Sequence, residues 1–456
     1  MHTALFAYVA ARKANGIFVV RIDDTDPVRS EARWETEVLE ALKYLGIDWD
    51  EGPGKGGSYE PYRQSERSEI YESAINQLKN NGFLYPCFCT EAEMNVQRAA
   101  ARASGRPFTY DGRCFRLSEK EREKNIESGK DHVWRFHIDP DRLGEEVRFT
   151  DLVWGEQVFR TELIGDFVCM RGDGKPTYML VSPLDDASME ITHIIRGADH
   201  LPNTPSQILL LKALGYDPPE FAHLPLITGL GGKKLSKRDS MSGLDDIRSH
   251  LPRALVNHLM LLGWTHPDGK EILGFDEIIE SFSFERVSTS PSAHDPARLQ
   301  HLEREHLGRM SPPSILSAWM DSVYSCSVQL NEEHLSTARR ILEVVSDEVT
   351  SLEAVGRDVI PLVQSPDDET LRELFDRIDR DSALEVIKTI LQTCGSGRLD
   401  IIEGMAKSVG KKQVYLPLRV ALTGMTRGFE LSRIISALTV EEVDERLNKS
   451  IEILSA

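Results

Sequence analysis

Apolar and β-branched residues run almost unbroken through Gly16-Ile17-Phe18-Val19-Val20-Arg21-Ile22. A continuous run of that length predicts a parallel strand buried on both faces. The carboxylates that follow, Asp23 and Asp24, then fall at the strand's carboxyl end, the edge at which open α/β sheets bind ligands. A helical period takes over from Glu31 to Leu45, with Leu39, Leu42 and Leu45 among charges and Gly46 as the stop. Ser65 suggests an N-cap for a helix through Leu78 that ends near Asn81-Gly82. Further along, the pattern predicts a strand at His132–Phe136, another at Thr192–Arg196, and a helix over Ser206–Leu211 that closes at Gly215. Apolar stripes in Ala254–Met260 and in many segments after Pro312 read as helix. Internal repeats and low-complexity tracts are lacking.

A chain of 456 residues is too long for one core and is expected to divide into several domains. Hydrophobic content of 40% and charged content of 28% are globular values, and no apolar run is long enough to span a bilayer. The absence of a basic leader followed by an apolar stretch gives secretion no support, so a cytoplasmic location is expected. A net charge of -19 gives little long-range attraction for nucleic acid. Binding depends, however, on where the 54 Lys and Arg residues cluster.

Two stretches suggest chemistry. Gly232-Lys233-Lys234-Leu235-Ser236-Lys237-Arg238-Asp239 places two ammonium groups three positions apart beside glycine and serine, a composition suited to wrapping a polyphosphate. A solvated basic turn is the plainer reading of such a short pattern. Cys87-Phe88-Cys89 followed by Cys114 offers three thiolates at a spacing that supplies three of the four tetrahedral ligands of zinc, the alternative being three buried free thiols. Cys169, Cys326 and Cys394 are isolated and are expected to be ordinary core or surface thiols. His193, His200 and His223 lack ligand spacing and are expected in packing or polar networks, and Trp154, Trp264 and Trp319 in the core.

The lysine loop resembles the KMSKS signature of class I aminoacyl-tRNA synthetases, in the form typical of glutamyl and glutaminyl enzymes. Arg21-Ile22-Asp23-Asp24-Thr25-Asp26, Pro61–Arg67, Asp173–Tyr178, Ile194–Gly197 and Pro417–Gly424 resemble further family segments in the family's order. The resemblance implies an α/β fold: a nucleotide-binding parallel sheet, an inserted α+β acceptor-binding domain, and an all-α carboxyl-terminal anticodon-binding half. The expected boundaries are 1–82 and 185–240 for the two catalytic halves, 83–184 for the insertion with its zinc cluster, 241–311 for a helical stem-contact domain and 312–456 for the anticodon-binding domain. The helical tail favours a bacterial-type glutamyl enzyme over a glutaminyl one, and its presence disfavours the glutamyl-queuosine tRNA(Asp) relatives.

The activity so implied is ATP- and Mg2+-dependent conversion of glutamate to glutamyl-adenylate and transfer to tRNA(Glu), by a monomer. Lys234 and Lys237 would stabilise the departing pyrophosphate, and Ser236 would join Lys237 at ATP. Arg196 would grip the substrate's side-chain carboxylate, Tyr178 would line the same pocket, and Asp23, where the family usually has glutamate, would hold the α-ammonium. Ser182 stands where a pocket asparagine is common. The family pattern adds Tyr110 as fourth ligand to Cys87, Cys89 and Cys114 around one structural Zn2+.

The family's HIGH element is expected upstream of Met1, which suggests a misplaced start; the competing reading is a non-catalytic or truncated tRNA-binding relative. Ser346-Asp347-Glu348 covers the place where discriminating enzymes hold an arginine, so tRNA(Gln) is an expected second substrate. His301-Leu302-Glu303 replaces a usual Trp-x-Asn, which suggests a divergent member.

Overall fold

The computed structural model describes residues 1–25, 32–105, 108–229, 243–393 and 397–456. The described parts fall into two compact units, one drawn from residues 1–240 and 259–294, the other from 241–258 and 295–456.

In the first unit, α1 (His2–Lys13) buries Leu5, Phe6 and Val9 on one side and carries Arg12 and Lys13 in its last turn, where cations suit the helix dipole. After α2 (Ala32–Tyr44) and α3 (Ser68–Asn80) come β1 (Leu84–Cys87), α4 (Glu91–Ala103), α5 (Glu119–Glu127), β2 (Val133–Phe136) and α6 (Pro140–Leu143). The chain continues through β3 (Glu146–Asp151), β4 (Gly155–Arg160), β5 (Phe167–Met170), α7 (Tyr178–Ser188), β6 (His193–Gly197), α8 (Thr204–Leu214), β7 (Glu220–Leu224) and β8 (Ile227–Thr228). The α8 helix closes at Gly215, whose φ of 86° is a left-handed conformation that favours glycine.

Two sheets organise this unit. β1, β2 and β5 form a three-stranded antiparallel sheet. The other has the order β4-β3-β7-β6, in which β3 runs parallel to β7 and β7 parallel to β6, with β4 as an antiparallel edge. This sheet takes strands from both sides of residue 184. An apolar core of Leu180, Val181 and Leu184 from α7, Leu209 and Leu210 from α8, and Phe136 and Phe221 from the strands holds the two layers together.

Two expectations are corrected. The run from Gly16 to Ile22 is not a laddered strand: Val19 bridges Glu51 and Ile22 bridges Arg63 as isolated parallel pairs, and Ile17 is 64% exposed. Its pairing partners are single residues of loops, and one of those loops approaches so closely that a Cβ on Gly52 would lie 2.6 Å from the Val20 carbonyl. Ser65 is not an N-cap, because its amide and hydroxyl both donate to Asp24, at 2.8 and 2.6 Å, and α3 begins later, after Arg67.

The second unit is helical apart from short connections. It holds α9 (Leu244–Arg248) and most of α10 (Pro252–Leu261). The chain then returns to the first unit for α11 (Phe275–Ser281) and for β9 (Ser292–Ala293), which pairs with β8. From α12 (Pro296–Leu307) onward come α13 (Pro312–Met320), α14 (Glu332–Val345), α15 (Leu352–Ala354), α16 (Asp368–Phe375), α17 (Arg380–Leu391), α18 (Gly397–Ser408), α19 (Lys411–Thr423), α20 (Leu431–Ala437) and α21 (Val440–Ser455). α17 packs on both α19 and α21, and α14 packs on α20. Asn331, Asp367, Asp379 and Thr439 each accept an amide at a helix start in this unit, so the breaks between helices are set by capping residues. Among the described residues no helix is long and apolar enough to cross a membrane.

Candidate active site

Arg196 and His223 stand opposite each other in the β6–β7 ladder, near the carboxyl ends of the parallel strands. Asp151 ends β3, the strand on the other side of β7. The three side chains form a lateral chain across the sheet. Arg196 Nε donates to His223 Nε2 at 3.1 Å, and His223 Nδ1 lies 2.6 Å from Asp151 Oδ2. Arg196 Nη2 donates to Thr204 Oγ1 at 2.7 Å. Burial pushes the acidity of Asp151 down, but the hydrogen bonds from His223 and from the Trp154 and Val153 amides outweigh it and hold the carboxyl below the usual range. Burial also lowers the Arg196 pKa, against the pull of Tyr178 and Asp186.

Asp186 connects this chain to the amino-terminal segment. It is buried on α7 and accepts Arg21 Nη1 at 2.6 Å, while Arg21 Nε donates to Asp23 Oδ1 at 2.8 Å. Burial raises the Asp186 pKa, and Arg21, Asp23 and Arg196 all act on its charge. Asp23, Arg196 and Tyr178, expected together, therefore lie in one electrostatic neighbourhood. Tyr178 opens α7, is half exposed, and places its hydroxyl 3.3 Å from His200 Nδ1. Ser182 is buried on the same helix. Lys234, Ser236 and Lys237 lie outside the described residues.

Next to Asp186 on α7, Asp185 is fully buried and accepts Arg67 Nε at 2.7 Å, Gln64 Nε2 at 2.9 Å and the Tyr71 hydroxyl at 2.8 Å. Arg67 in turn donates to the Tyr59 and Pro61 carbonyls and to Ser188 Oγ. This network pins the loop before α3 to α7, and thereby fixes where Asp186 stands.

The thiols of Cys87, Cys89 and Cys114 gather within 4.8 Å of one another, with Cys89 and Cys114 3.6 Å apart. The Tyr110 hydroxyl lies 3.4 Å from both Cys87 and Cys89, and Arg135 covers its ring at 4.2 Å. The hydrogen bond from Cys114, opposed by burial and aided by Tyr110, brings the Cys87 thiol down to about 4. Its link to Cys87 and burial push Cys114 up, and burial leads the rise at Cys89. Three sulfurs and a phenol hydroxyl thus converge on one point, and a cation bound there would draw protons off the thiols.

The family described as tRNA synthetases class I (E and Q), catalytic domain, matches residues 1–301. The chain belongs to the class I tRNA synthetases of the E and Q type. An anticodon binding domain matches residues 316–451, the all-helical stretch. The chain is similar to the glutamate–tRNA ligase of Carboxydothermus hydrogenoformans, with 37% identity over 98% of this chain and 95% of that one. It is equally similar to that of Aquifex aeolicus, with 37% identity over 99% and 95%. A solved structure of a glutamate tRNA ligase from Elizabethkingia meningosepticum in complex with its amino acid superposes with a TM-score of 0.76 at 29% identity, covering 99% of this chain and 95% of that one.

Set within this synthetase family, the sequence pattern missed several groups that the fold brings to the site. Arg21 and Asp186 carry the link to Asp23, and Asp151 and Thr204 hold the His223–Arg196 pair. The available signal was the pair Asp185-Asp186 at the end of the apolar run Tyr178–Leu184, since adjacent carboxylates on a buried helix need partners. His223 is in a polar network as expected. Trp154 is not core: it is 37% exposed and donates Nε1 to the His223 carbonyl, whereas Trp264 and Trp319 are buried. Cys169 is a buried thiol and Cys326 an exposed one, while Cys394 lies outside the described residues. The acidic turn of Asp347 and Glu348 carries a cation after all, for Arg433 of α20 pairs with both at 2.7 and 2.9 Å.

Proposed function

We propose that this chain ligates glutamate to tRNA, first activating it with ATP to glutamyl-adenylate and then transferring it to the 3′ end of tRNA(Glu). The observation that carries this reading is the buried Arg196 guanidinium at the carboxyl edge of the parallel sheet, in a chain related over 98% of its length to a glutamate–tRNA ligase. A planar fork with donors only pairs bidentately with a carboxylate and poorly with an amide. Tyr178 lines the same pocket, and Asp23, already oriented by Arg21, faces the substrate's α-ammonium. Lys234 and Lys237, with Ser236, would take the ATP phosphates and stabilise charge as pyrophosphate leaves, and Mg2+, when bound, would supply further positive charge there. No covalent protein intermediate is needed, because positioning of the carboxylate against the α-phosphorus suffices.

The same reading divides the chain into catalytic halves at 1–82 and 185–240, an acceptor-binding insertion at 83–184, a stem-contact segment at 241–311 and an anticodon-binding half at 312–456. Cys87, Cys89, Cys114 and Tyr110 hold one structural Zn2+. Ligands at about 2.3 Å around a tetrahedral ion stand a little under 4 Å apart, and the sulfur spacing fits. Metal analysis of protein purified without chelator should give about one zinc per chain, and Cys114→Ser should lose most of it. Full folding with no zinc bound would refute the assignment.

The functional test is ATP-dependent charging of purified tRNA(Glu) and tRNA(Gln) with labelled glutamate. Label on tRNA(Glu) is expected, and on tRNA(Gln) as well if the acidic turn at Asp347 relaxes discrimination. Charging with glutamine in place of glutamate would overturn the reading. Binding of tRNA without charging would favour a non-catalytic relative.

A further inference from the structure

Arginine carries donors only, so the contact from Arg196 Nε obliges His223 Nε2 to accept. The ring proton must then reside on Nδ1, facing Asp151 Oδ2. The other oxygen of that carboxylate, Oδ1, accepts the amides of Val153 and Trp154, both at 2.9 Å. The backbone therefore fixes the carboxylate, and the carboxylate fixes the tautomer of His223. The side chains of Asp151 and His223 have no solvent exposure, so water cannot substitute for either partner.

The chemistry of the acceptors is informative. Nε and Nη2 of Arg196 are held by an imidazole nitrogen and a hydroxyl, both neutral. A carboxylate in either place would offset the guanidinium charge, whereas these acceptors orient the group and leave its charge intact. Two carboxyls act on Arg196 from a distance, Asp186 on α7, which is hydrogen-bonded to Arg21, and Asp151, which lies on the far side of the His223 ring.

We propose that His223, locked by Asp151 as its Nδ1–H tautomer, is a positioning residue that holds the Arg196 fork through a neutral acceptor and leaves its remaining donors free for a ligand, so that the site selects an amino acid bearing a side-chain carboxylate over the corresponding amide. This deepens the assignment of Arg196 to the substrate carboxylate and rests on it. His223 does not touch substrate; it acts through Arg196.

Asp151→Asn tests the lock. Only the amide oxygen of asparagine can accept from Val153 and Trp154, so its NH2 is left facing Nδ1. That moves the ring proton to Nε2, where it faces Thr204 Oγ1 and leaves Arg196 Nε–H without an acceptor. Long-range proton–nitrogen spectra of the histidine-labelled chain should show a protonated Nδ1 and a bare Nε2 for His223, assigned by loss of its signals in His223→Gln. The pattern should reverse in Asp151→Asn. Calorimetry should find glutamate bound about tenfold or more weakly by Asp151→Asn, as expected for a buried donor left without an acceptor, with ATP binding unchanged. The double variant D151N/H223Q should regain affinity relative to D151N, because a glutamine amide oxygen accepts from Arg196 whichever way the asparagine amide is oriented.

An Nε2-protonated His223 in the unaltered chain overturns the proposal, and so does unchanged glutamate affinity in a D151N chain whose tautomer has reversed. Should Asp151→Asn fail to fold, the unaltered chain's spectrum still decides the tautomer, and His223→Ala, which leaves Arg196 Nε without its acceptor, is expected to bind glutamate about tenfold more weakly, an unchanged affinity overturning the proposal. If the unaltered chain binds no glutamate, the assignment of Arg196 to the substrate falls, while the nitrogen spectrum separately confirms or refutes the lock.

Discussion

Replacing Arg196 by alanine is expected to raise the KM for glutamate by a factor on the order of 10² to 10³ and to leave the KM for ATP near its original value. The magnitude follows from a buried charge pair whose one partner is removed, which costs about 3–5 kcal/mol. Arg196 lies deep at the strand ends, where solvent screens little of its attraction for a carboxylate. Arg196→Lys keeps the charge but loses the fork. A lysine ammonium cannot hold His223 Nε2 and Thr204 Oγ1 while also meeting a carboxylate with two parallel donors. It should therefore recover only part of the loss. Steady-state charging at varied glutamate and varied ATP separates these outcomes. An alanine variant with an unchanged glutamate KM would remove Arg196 from the pocket.

The second large effect concerns stability. Asp185→Ala leaves the Arg67 guanidinium buried without its carboxylate and strips an acceptor from Gln64 and Tyr71. The expected cost is about 3–5 kcal/mol, or a fall on the order of 10 °C in the melting of the first unit. Because replacing both charges removes the stranded ion, the double variant D185L/R67M should recover much of that loss. Differential scanning calorimetry of the single and double variants checks both statements. Equal melting of Asp185→Ala and the unaltered chain would mean that the network orders the loop without stabilising the unit.

What could be read from the sequence depended on how local each feature is. The cysteine cluster was legible because Cys87-Phe88-Cys89 fixes two sulfurs within one turn of chain, and only Cys114 had to be brought back. The helices of the second unit were legible because their apolar stripes recur at the helical period. The segment Gly16–Ile22 misleads because hydrophobicity reports burial, while a ladder requires a partner; its partners are single residues, Glu51 and Arg63, supplied by loops. Ser65 has the right chemistry for a cap, yet Asp24, 41 residues away, takes both its donors. Arg433 reaches the acidic turn across 86 residues of sequence, a distance at which one chain offers no pattern to trace. Asp23, Tyr178 and Arg196, which the motifs singled out and the structure places in one neighbourhood, are residues whose neighbours in sequence also carry the motif. Asp151, Asp186 and Thr204, which no motif singled out, reach that neighbourhood only through partners on other elements.

The strand order β4-β3-β7-β6 has a consequence for synthesis of the chain. β3 and β6 both leave the ribosome before β7, yet neither pairs with the other, since β7 lies between them. The middle of the sheet is the last part to be made. Until Leu224 has emerged, β3 and β6 each offer an unpaired edge, and the buried acid of Asp151 has no imidazole to receive. Nascent chains halted between Gly197 and Leu224 should thus be the most adhesive intermediates of this protein, and the ones most in need of a chaperone.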